Sequence, residues 1–479
     1  MFSLKGIRTC TLIPVGTPTP YSILSFDGVD GESEGFSFKL AMSVDRAPTL
    51  RKLLQELLET AWFPGQGMRK GMRKEGSEKY IRLLHCIHEF ENEKKFVVQQ
   101  ENVGSNVILQ SRAAQVSPLV VQPGWIALTQ RTLIFQPYHS NEETRSWDLS
   151  CVKSISRRRF KLKDEALEIF LTAGAIEKGQ VPSIYFGCFK HGKDRDELEQ
   201  ALRTHSPFVL SENPSVRHWV KAWKAGSISN CEYLTRLNDA AGRSFNDLSH
   251  YPVFPWIIAD YSSPSLDLTK ASTFRDLSCS IAALNPDRVA RGREMYQESV
   301  KLASPTGNKK SRGDRSRDQK PLQAWMFGSH YSNPGIAVHY LVRSQPRLML
   351  RLFDGHFDVP ERMFTSIAGA WDSLRQWDSD VKELIPQFYM PTGSPYGSSN
   401  FLTKLGDNET KTDLIPDVIL PPWASSPEDF LFQMSRALES DHVSLSLHLW
   451  IDLVFGVLSR GSKAANADNL FHFLTYDTM

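Results

Sequence analysis

The segment Asp354-Gly355-His356-Phe357-Asp358 comes closer than other segments of the chain to a catalytic motif. Two carboxylates and an imidazole at alternate positions, with His330 upstream, are ligand types that a metal-dependent lipid or phosphodiester hydrolase uses. In an extended strand, however, three ligands so close together rarely converge on one ion. The sequence also contains no glycine-rich phosphate loop, HExxH motif or nucleophile elbow. The interpretation that we favour is that Asp358 caps a helix near residue 360 and pairs with Arg362.

Two other pairs of residues have chemically useful types but lack a third group. Ser329 and His330 are adjacent, so they do not face each other as a nucleophile and a base. His85 and His88 lie on one face of a predicted short helix, with no further metal ligand nearby. We therefore predict a protein that is not an enzyme and has no cofactor or metal, and keep the hydrolase of Asp354, His356 and Asp358 as the alternative.

A basic strand is the clearest candidate for a binding surface. Alternation places Arg157, Arg159, Lys161 and Lys163 on one strand face, with Arg158, Phe160 and Leu162 on the other. Such a face suits weak docking to anionic lipid, because each basic residue near the surface contributes up to about 1 kcal/mol. The other interpretations are a solvated strand and one that pairs with carboxylates of the following domain. The basic loop 303–320, rich in Gly and Ser, is predicted to be a flexible insertion.

The overall composition limits the functional classes. The 479 residues contain 56 Lys and Arg against 54 Asp and Glu, so the net charge of +2 gives no broad basic field for nucleic acid. Six scattered cysteines predict buried free thiols in a reducing compartment. The sequence has no run of about 18 apolar residues and no apolar stretch near the start that resembles a signal peptide. We expect a cytoplasmic protein, peripheral at membranes if it reaches them.

The first hundred residues are expected to form an incomplete module and a linker. Phe36, Phe38, Leu40 and Met42 alternate as in a half-buried strand, and apolar residues from Leu50 to Trp62 recur at helical spacing. With no clear strands before it to pair with, this strand and helix predict the second half of a small β domain in residues 1–62. The strand and helix at 36–62 also resemble the end of a PH-like module. Residues 63–99, which repeat Gly-Met-Arg-Lys in tandem, are predicted to be a linker with a short helix.

Residues 100–208 show several short strands followed by one helix. Trp125–Thr129 and Leu133–Phe135 predict a hairpin, Leu167, Ile169 and Leu171 share a strand face, and Leu198 and Leu202 lie on one face of the last helix. Meandering strands closed by a C-terminal helix are typical of a PH-like barrel, because the helix plugs an open barrel end. Within it, Arg158-Arg159-Phe160 and Ala166-Leu167-Glu168-Ile169-Phe170 resemble a PH-like domain of the GRAM type.

Residues 209–479 are predicted to form a mainly helical domain with long buried coil. Segments such as Tyr251–Trp256 are apolar but contain two prolines, which cannot lie in central strands. Buried coil needs side chains to satisfy its amides and carbonyls. We therefore predict a structural polar core, supplied by Asn230, Asn238, Arg243, Asn246 and Asp247.

This second half resembles the BEACH-domain family. The resemblance rests on motifs that follow one another in order, among them Ile228-Ser229-Asn230, Ala241-Gly242-Arg243-Ser244-Phe245-Asn246-Asp247-Leu248, Tyr251-Pro252-Val253-Phe254-Pro255-Trp256, Gly328-Ser329-His330-Tyr331-Ser332, Leu420-Pro421-Pro422-Trp423 and Trp450-Ile451-Asp452-Leu453. It implies an α+β multidomain protein in which a PH-like domain packs firmly on the BEACH domain. A groove between the two would bind protein partners.

Within the family, two segments resemble members that couple receptor cytoplasmic tails to neutral sphingomyelinase and ceramide signalling. They are Trp423–Leu431 and Leu133–Pro137. The resemblance implies a scaffold or adaptor of that type, with vesicle and lysosome-related trafficking as the alternative. The sequence stops where the resemblance ends, without the WD-repeat propeller of such members, so we expect a fragment or a short isoform.

Overall fold

The computed structural model divides the chain into two compact units, Met1–Asn106 with Gln136–Thr144, and Val107–Phe135 with Arg145–Met479. For the first unit it describes the backbone of three strands. For the rest it describes residues 107–138, 144–161, 163–172, 182–189, 192–207, 214–303, 324–353, 355–359, 362–391, 397–403, 416–472 and 475. The predicted helix at 50–62, the linker 63–99 with His85 and His88, and nearly all of the loop 303–320 lie outside these residues.

The described part of the first unit is a small antiparallel sheet. Its strands are β1 (Ile7–Ile13), β2 (Tyr21–Val29) and β3 (Gly35–Ser43), in the order β1-β2-β3. The strand predicted at residues 36–42 is therefore present, but the expectation that no strand precedes it was wrong. Its partner β2 runs through Ser- and Asp-containing sequence, which masks the alternation that reveals β3. That these strands belong to a PH-like module stays a prediction.

A curled seven-stranded sheet opens the second unit. Its strands are β4 (Leu109–Val116), β5 (Val121–Leu128), β6 (Thr132–Pro137), β7 (Arg145–Asp148), β8 (Val152–Phe160), β9 (Lys163–Leu171) and β10 (Ser183–Gly187). The strand order is β7-β6-β5-β4-β10-β9-β8. Helix α1 (Gly192–His205) packs its Leu198 and Leu202 into the apolar core of the sheet. Sheet and helix together are the β domain, residues 107–207.

The remaining part of the second unit, residues 214–475, is the helical domain. Its helices are α2 (Val216–Lys224), α3 (Asn230–Ala240), α4 (Pro286–Ala303), α5 (Pro334–Leu341), α6 (Pro346–Leu352), α7 (Ile367–Gln376), α8 (Pro427–Leu438), α9 (Asp441–Val454) and α10 (Gly461–Asn466). The α+β class is thus confirmed.

Long coil segments cross the core of the helical domain. Phe254, Trp256 and Trp450 are fully buried there, and Tyr251, Tyr261 and Trp423 nearly so. Isolated bridges such as Phe254 with Leu384, together with side-chain hydrogen bonds, link these segments to one another. Aromatic side chains therefore supply much of the core around the coil, since each removes a large apolar area from water.

The four described cysteines are free thiols: Cys151, Cys188, Cys231 and Cys279. Cys188 and Cys279 are exposed, and Cys151 and Cys231 are only partly buried, so the expectation of buried thiols is not met by any of the four.

Candidate functional site

The outer face of the curled sheet is covered by the helical domain. Strand β9 turns Leu167 and Ile169 into the β-domain core, while its alternate residues Ala166 and Glu168 face outward yet are buried. Strand β10 contributes Ser183 in the same way. An outward carboxylate that is only 2% exposed needs partners, because an unpaired buried charge is strongly destabilising.

Glu168 has partners from both domains. Its Oε2 accepts from Nε of Arg158 at 2.7 Å, and its Oε1 accepts from the hydroxyls of Ser183 at 2.7 Å and Ser244 at 2.8 Å. The side-chain amide of Asn246 donates to Oε1 at 3.3 Å and to the Ser183 hydroxyl at 2.9 Å. Ser244 and Asn246 follow helix α3, so these bonds join the two domains. We call these five residues the joint network.

Arg158 extends the joint network to the end of helix α3. It donates to the carbonyl of Asp239 at 3.1 Å and forms an ion pair with the Asp239 carboxylate. Burial lowers the pKa of Arg158, but Glu168 and Asp239 outweigh that effect and the pKa is raised. A permanently charged guanidinium thus bonds to both domains in one fixed geometry.

The space left at the joint is small. A cavity of about 50 Å³ lies between the domains, lined among others by Arg158, Glu168, Asp239 and Phe245. That volume suits ordered water and is too small for a peptide. A second contact lies away from it, where Arg351 donates to the carbonyl of Leu119. Any groove for a peptide must therefore lie beside the joint network and not within it.

Asn230 and Asn238 satisfy buried backbone inside the helical domain. The amide of Asn238 donates to the carbonyls of Leu234 at 2.9 Å and Val253 at 3.0 Å, and accepts from the amide of Val253 at 2.8 Å. Asn230 donates to the Leu438 carbonyl at 2.7 Å. Both side chains therefore connect helix α3 to coil or to helix α8.

The other three residues of the predicted polar core, Arg243, Asp247 and Asn246, bond to other groups than Asn230 and Asn238 do. Arg243 donates to the carbonyl of Tyr251 at 2.8 Å and to the Ser332 hydroxyl at 3.0 Å, within the helical domain. Asp247 accepts from the amide and hydroxyl of Ser249. Burial raises the pKa of Asp247, but His250 and Ser249 outweigh that effect and hold the pKa below its usual range. Asn246 is buried, and its side chain bonds to Glu168 and Ser183 of the β domain; its role in a structural polar core stays a prediction.

Sequence reasoning missed the most buried ionic group of the helical domain. Nη1 of Arg275 donates to the two carboxylate oxygens of Glu383 at 2.9 and 3.0 Å. Nε1 of Trp450 donates to the same carboxylate at 2.9 Å. The backbone amide of Trp256 also donates to it at 3.0 Å. Arg288 in helix α4 was missed too, although it donates to five backbone carbonyls in the segments 281–282 and 374–380.

The four residues of the predicted basic face are exposed, but they differ in whether a carboxylate neutralises their charge. Arg157 forms ion pairs with Asp196 and Glu199 of helix α1. Arg159, Lys161 and Lys163 are exposed around the β8–β9 turn, where Lys161 adopts a positive φ of 51°. Within the described residues these three have no ion pair with a carboxylate.

The candidate hydrolase residues do not assemble in the described part of the chain. Asp358 accepts from Nε of Arg362 at 3.0 Å, which is the pairing that we favoured, whereas His330 lies against Phe471 at 5.2 Å between ring centroids. Asp358 does not cap helix α7, which begins at Ile367 and is capped by Ser366; residues 360 and 361, where the capped helix was expected to start, lie outside the described residues. Asp354 lies outside the described residues. Among the residues that the structure covers, no group of three or more His, Cys, Asp or Glu could hold a metal.

Two larger cavities open within the helical domain. One of about 670 Å³ lies between helices α5 and α7, with Asn333, His339, Ser366 and Trp377 among its lining residues. The other, of about 500 Å³, lies at the ends of helices α3 and α9 and includes Arg243 in its wall. Arg243 also lines the small cavity of the joint, so the second large cavity adjoins the joint network.

Comparison with known proteins agrees with the buried coil and the helical architecture. The Beige/BEACH domain model matches residues 221–479, more than half of the chain. The protein therefore belongs to the BEACH-domain family.

Its relatives include putative neurobeachin homologues from Caenorhabditis elegans and Caenorhabditis briggsae. Each is 35% identical over 396 residues, covering 76% of this chain and 15% or 14% of the relative. The chain thus spans about one seventh of the length of these relatives. A C-terminal domain of an unknown protein from Leishmania infantum is 19% identical, covering 22% of this chain and 88% of that one, with a TM-score of 0.19. A TM-score this low does not indicate a shared fold. Among the described residues, no helix is long and apolar enough to cross a membrane.

Proposed function

We propose that the β domain is a PH-like module and that it forms one rigid body with the BEACH domain. This body acts as a non-enzymatic cytoplasmic scaffold that binds partner proteins at membranes. The observation that carries the proposal is the joint network, in which Glu168 and Arg158 are 2% and 3% exposed. Domains that move independently meet through wetter and more polar interfaces, whereas here each charge has several bonds with fixed geometry.

A rigid joint has a functional consequence. When two domains cannot reorient, surface residues of both keep constant spacing, and a partner can contact both without ordering them first. A protein with a large cavity beside such a joint is suited to holding peptides or domains of other proteins.

The experiment compares the intact chain with its separated domains. Tagged protein and an equimolar mixture of fragments 100–208 and 209–479 are used to recover partners from cells. We expect the intact chain to retain partners that both fragments lose. The full chain with Glu168→Lys should lose the same partners, while Glu165→Lys on the same strand serves as the matched control. Recovery of an identical set by the separated fragments would contradict the proposal.

The finer proposal concerns the receptor pathway. Trp423–Leu431 and Leu133–Pro137 resemble the factor associated with neutral sphingomyelinase activation, which supports a scaffold that couples a receptor cytoplasmic tail to ceramide signalling. The test is direct binding of purified receptor tails to the intact chain. Tails that do not bind above a scrambled-sequence control would reject this assignment.

A second candidate is a regulator of vesicle and lysosome-related trafficking. It is favoured by the neurobeachin homologues, which match 76% of the chain. Localisation distinguishes the two candidates: a trafficking regulator should accumulate on vesicles without receptor stimulation, while a receptor adaptor should reach the plasma membrane after it.

A further inference from the structure

Helix α2 has one face that carries only positive charge. Its nine residues, Val216–Lys224, include no aspartate or glutamate. Arg217, Lys221 and Lys224 follow one another at spacings of four and three residues, which places them on the same side of the helix with neighbouring Cβ atoms about 5–6 Å apart. All three residues are exposed. We call these three residues the α2 basic face.

The opposite side of helix α2 is packed on the rest of the BEACH domain. Trp219, Val220 and Trp223 are partly buried against its apolar core. Trp223 stacks on Tyr233 of helix α3 with 4.6 Å between ring centroids, and its indole donates to the side-chain oxygen of Asn230 at 2.6 Å. These contacts fix the orientation of helix α2, so its basic face is directed away from the core.

The described part of the chain does not neutralise the α2 basic face. Among the described residues, the side chains of Arg217, Lys221 and Lys224 form no ion pair or hydrogen bond. On the neighbouring helix α3, Glu232 is already paired with Arg236 at 3.2 Å. Like charges three and four residues apart repel one another and slightly destabilise a helix. An anionic surface outside the chain would relieve that repulsion.

We propose that the α2 basic face docks on an anionic lipid bilayer. The apolar side of the helix is already occupied by the core, so the contact is electrostatic and no part of the helix has to enter the acyl region. Each basic residue near such a bilayer strengthens binding by up to about fivefold. The three residues are already oriented by the fold, so their contributions add without a further cost of ordering the helix.

A bilayer suits this face better than an acidic protein segment does. Exposed ion pairs between proteins contribute little, because two long side chains must be ordered to form each of them. The headgroups of a bilayer are mobile and in excess, so each cation can meet an anion without a matched spacing. The inference rests on the part of the proposed function that places the scaffold at membranes, and it adds the surface and the lipid charge responsible.

The α2 variant carries the three changes Arg217→Gln, Lys221→Gln and Lys224→Gln. The replaced residues are exposed and Gln is nearly as good a helix former as Lys and Arg, so the fold should stay intact. The control variant replaces three exposed cations on helices α6, α7 and α10, and carries Arg347→Gln, Arg375→Gln and Lys463→Gln. Both variants lower the net charge by the same amount, so only the position of the lost charge differs.

The purified full chain is sedimented at low salt with phosphatidylcholine vesicles made with or without phosphatidylserine. We expect binding to depend on phosphatidylserine and to be weaker by about tenfold or more in the α2 variant, whereas the control variant should bind like the unmodified chain. Acetylation of lysine amines, followed by mass spectrometry, locates the contact on the unmodified chain. Bound vesicles should protect Lys221 and Lys224 and leave Lys463 reactive.

Equal binding to both kinds of vesicle, or unchanged binding of the α2 variant, would overturn the proposal. So would an equal loss in the two variants, which indicates attraction by net charge alone, and equal protection of Lys463 and Lys221. The protection experiment uses the unmodified chain, so it decides the question even if the α2 variant fails to fold.

The other partner class is tested with an oligoglutamate peptide. Binding of this peptide through the α2 basic face, without binding to vesicles, would assign the face to an acidic protein and reject the lipid. The vesicle assay contains no partner protein, so its failure leaves the comparison of intact and separated domains unaffected. Conversely, a failed comparison of domains does not change the sedimentation result.

Discussion

Two buried arginine–glutamate pairs lie in different parts of the second unit. Arg275 and Glu383 are 1% and 2% exposed at the centre of the BEACH domain, and Arg158 and Glu168 are 3% and 2% exposed at the joint. The two pairs are almost equally buried, but different groups surround their carboxylates. Glu383 binds groups of one domain only, including the indole of Trp450, whereas Glu168 binds side chains from both domains.

The difference shows how the same pair of residue types can have two structural roles. In the BEACH core, coil cannot satisfy its amides through a sheet, and Glu383 accepts from the amide of Trp256 in place of a neighbouring strand. At the joint, the sheet already satisfies its own backbone, and Glu168 is available for side chains of the other domain. Loss of the first pair should unfold a domain, and loss of the second should separate two folded domains.

The largest effect is expected for Glu383→Gln. The change leaves the guanidinium of Arg275 buried without its counter-charge, a loss of about 3–5 kcal/mol of folding free energy. Urea denaturation followed by tryptophan fluorescence measures it, because Trp256 and Trp450 lie beside the pair. Glu298→Gln, an exposed position on helix α4, is the control and should change little. An unchanged denaturation midpoint would show that Glu383 has no such central role.

Glu168→Gln should have a smaller effect, confined to the joint. Its amide can still bond to some neighbours, so we expect a loss of about 1.5–3 kcal/mol, the range for hydrogen bonds to charged groups. Hydrogen exchange should become faster in strand β9 and around Ser244, while helices α8 and α9 stay protected. Glu165→Gln controls for the strand itself. Faster exchange throughout the BEACH domain would remove the distinction between the two pairs.

Arg243 belongs to the BEACH domain and also lines the small cavity at the joint, and Arg243→Ala tests its role. It removes donors from the Tyr251 carbonyl and the Ser332 hydroxyl, and a buried group left without its partner costs about 1–3 kcal/mol. Thermal unfolding should shift to a lower Tm, whereas Arg217→Ala on the exposed face of helix α2 should not shift it. If both variants melt like the unmodified protein, Arg243 does not stabilise buried coil.

The sequence pattern predicted the β domain better than the helical domain, for a physical reason. Strand alternation in Leu167, Ile169 and Leu171 reflects one buried face, and helix α1 has a clear apolar side. Helix α4 was missed because Arg288 to Lys301 includes many charged residues and lacks an apolar stripe, although the helix has 18 residues. Helix α7 was placed too early since its cap, Ser366, follows a coil that contains apolar residues.

One feature of the sequence indicates the joint network, although it did not enter the predictions. Glu168 interrupts the apolar run Ala166-Leu167-Glu168-Ile169-Phe170, and Arg158 lies on the neighbouring strand of the hairpin. The outward positions on either side of Glu168, Ala166 and Phe170, are apolar, which indicates a covered face on which the charge of Glu168 needs partners. Its partners could not be derived, because Ser244 and Asn246 come from a distant segment whose docking is set by the shapes of both folds.

The pH dependence of stability offers a finer comparison of two imidazoles in the BEACH domain. Burial lowers the pKa of both His330 and His339 to about 3. Between the unfolded value of about 6.5 and pH 3, the unfolded chain binds more protons, so stability falls as the pH falls through this window, by about 1.4 kcal/mol per pH unit for each ring. His330→Gln should reduce the slope by one ring, while His448→Gln, an exposed position, should leave it unchanged. Denaturation midpoints from pH 4 to 7 measure the slope, and an unaltered slope in His330→Gln would show that the ring is not held neutral.

The smallest effect is expected for the exposed basic residues at the end of strand β8 and in the β8–β9 turn. Arg159, Lys161 and Lys163 are exposed and lack ion pairs with described carboxylates, while Arg157 is engaged by Glu199. Replacing the three by Gln should weaken sedimentation with phosphatidylserine vesicles by up to about 1 kcal/mol per residue. The effect should fade with added salt because exposed charges are screened. Arg157→Gln should matter less, since its charge is already compensated by the carboxylates of helix α1. If the triple variant sediments like the unmodified chain at low salt, the basic face is only solvated, and strand β8 contributes to function through its buried side alone.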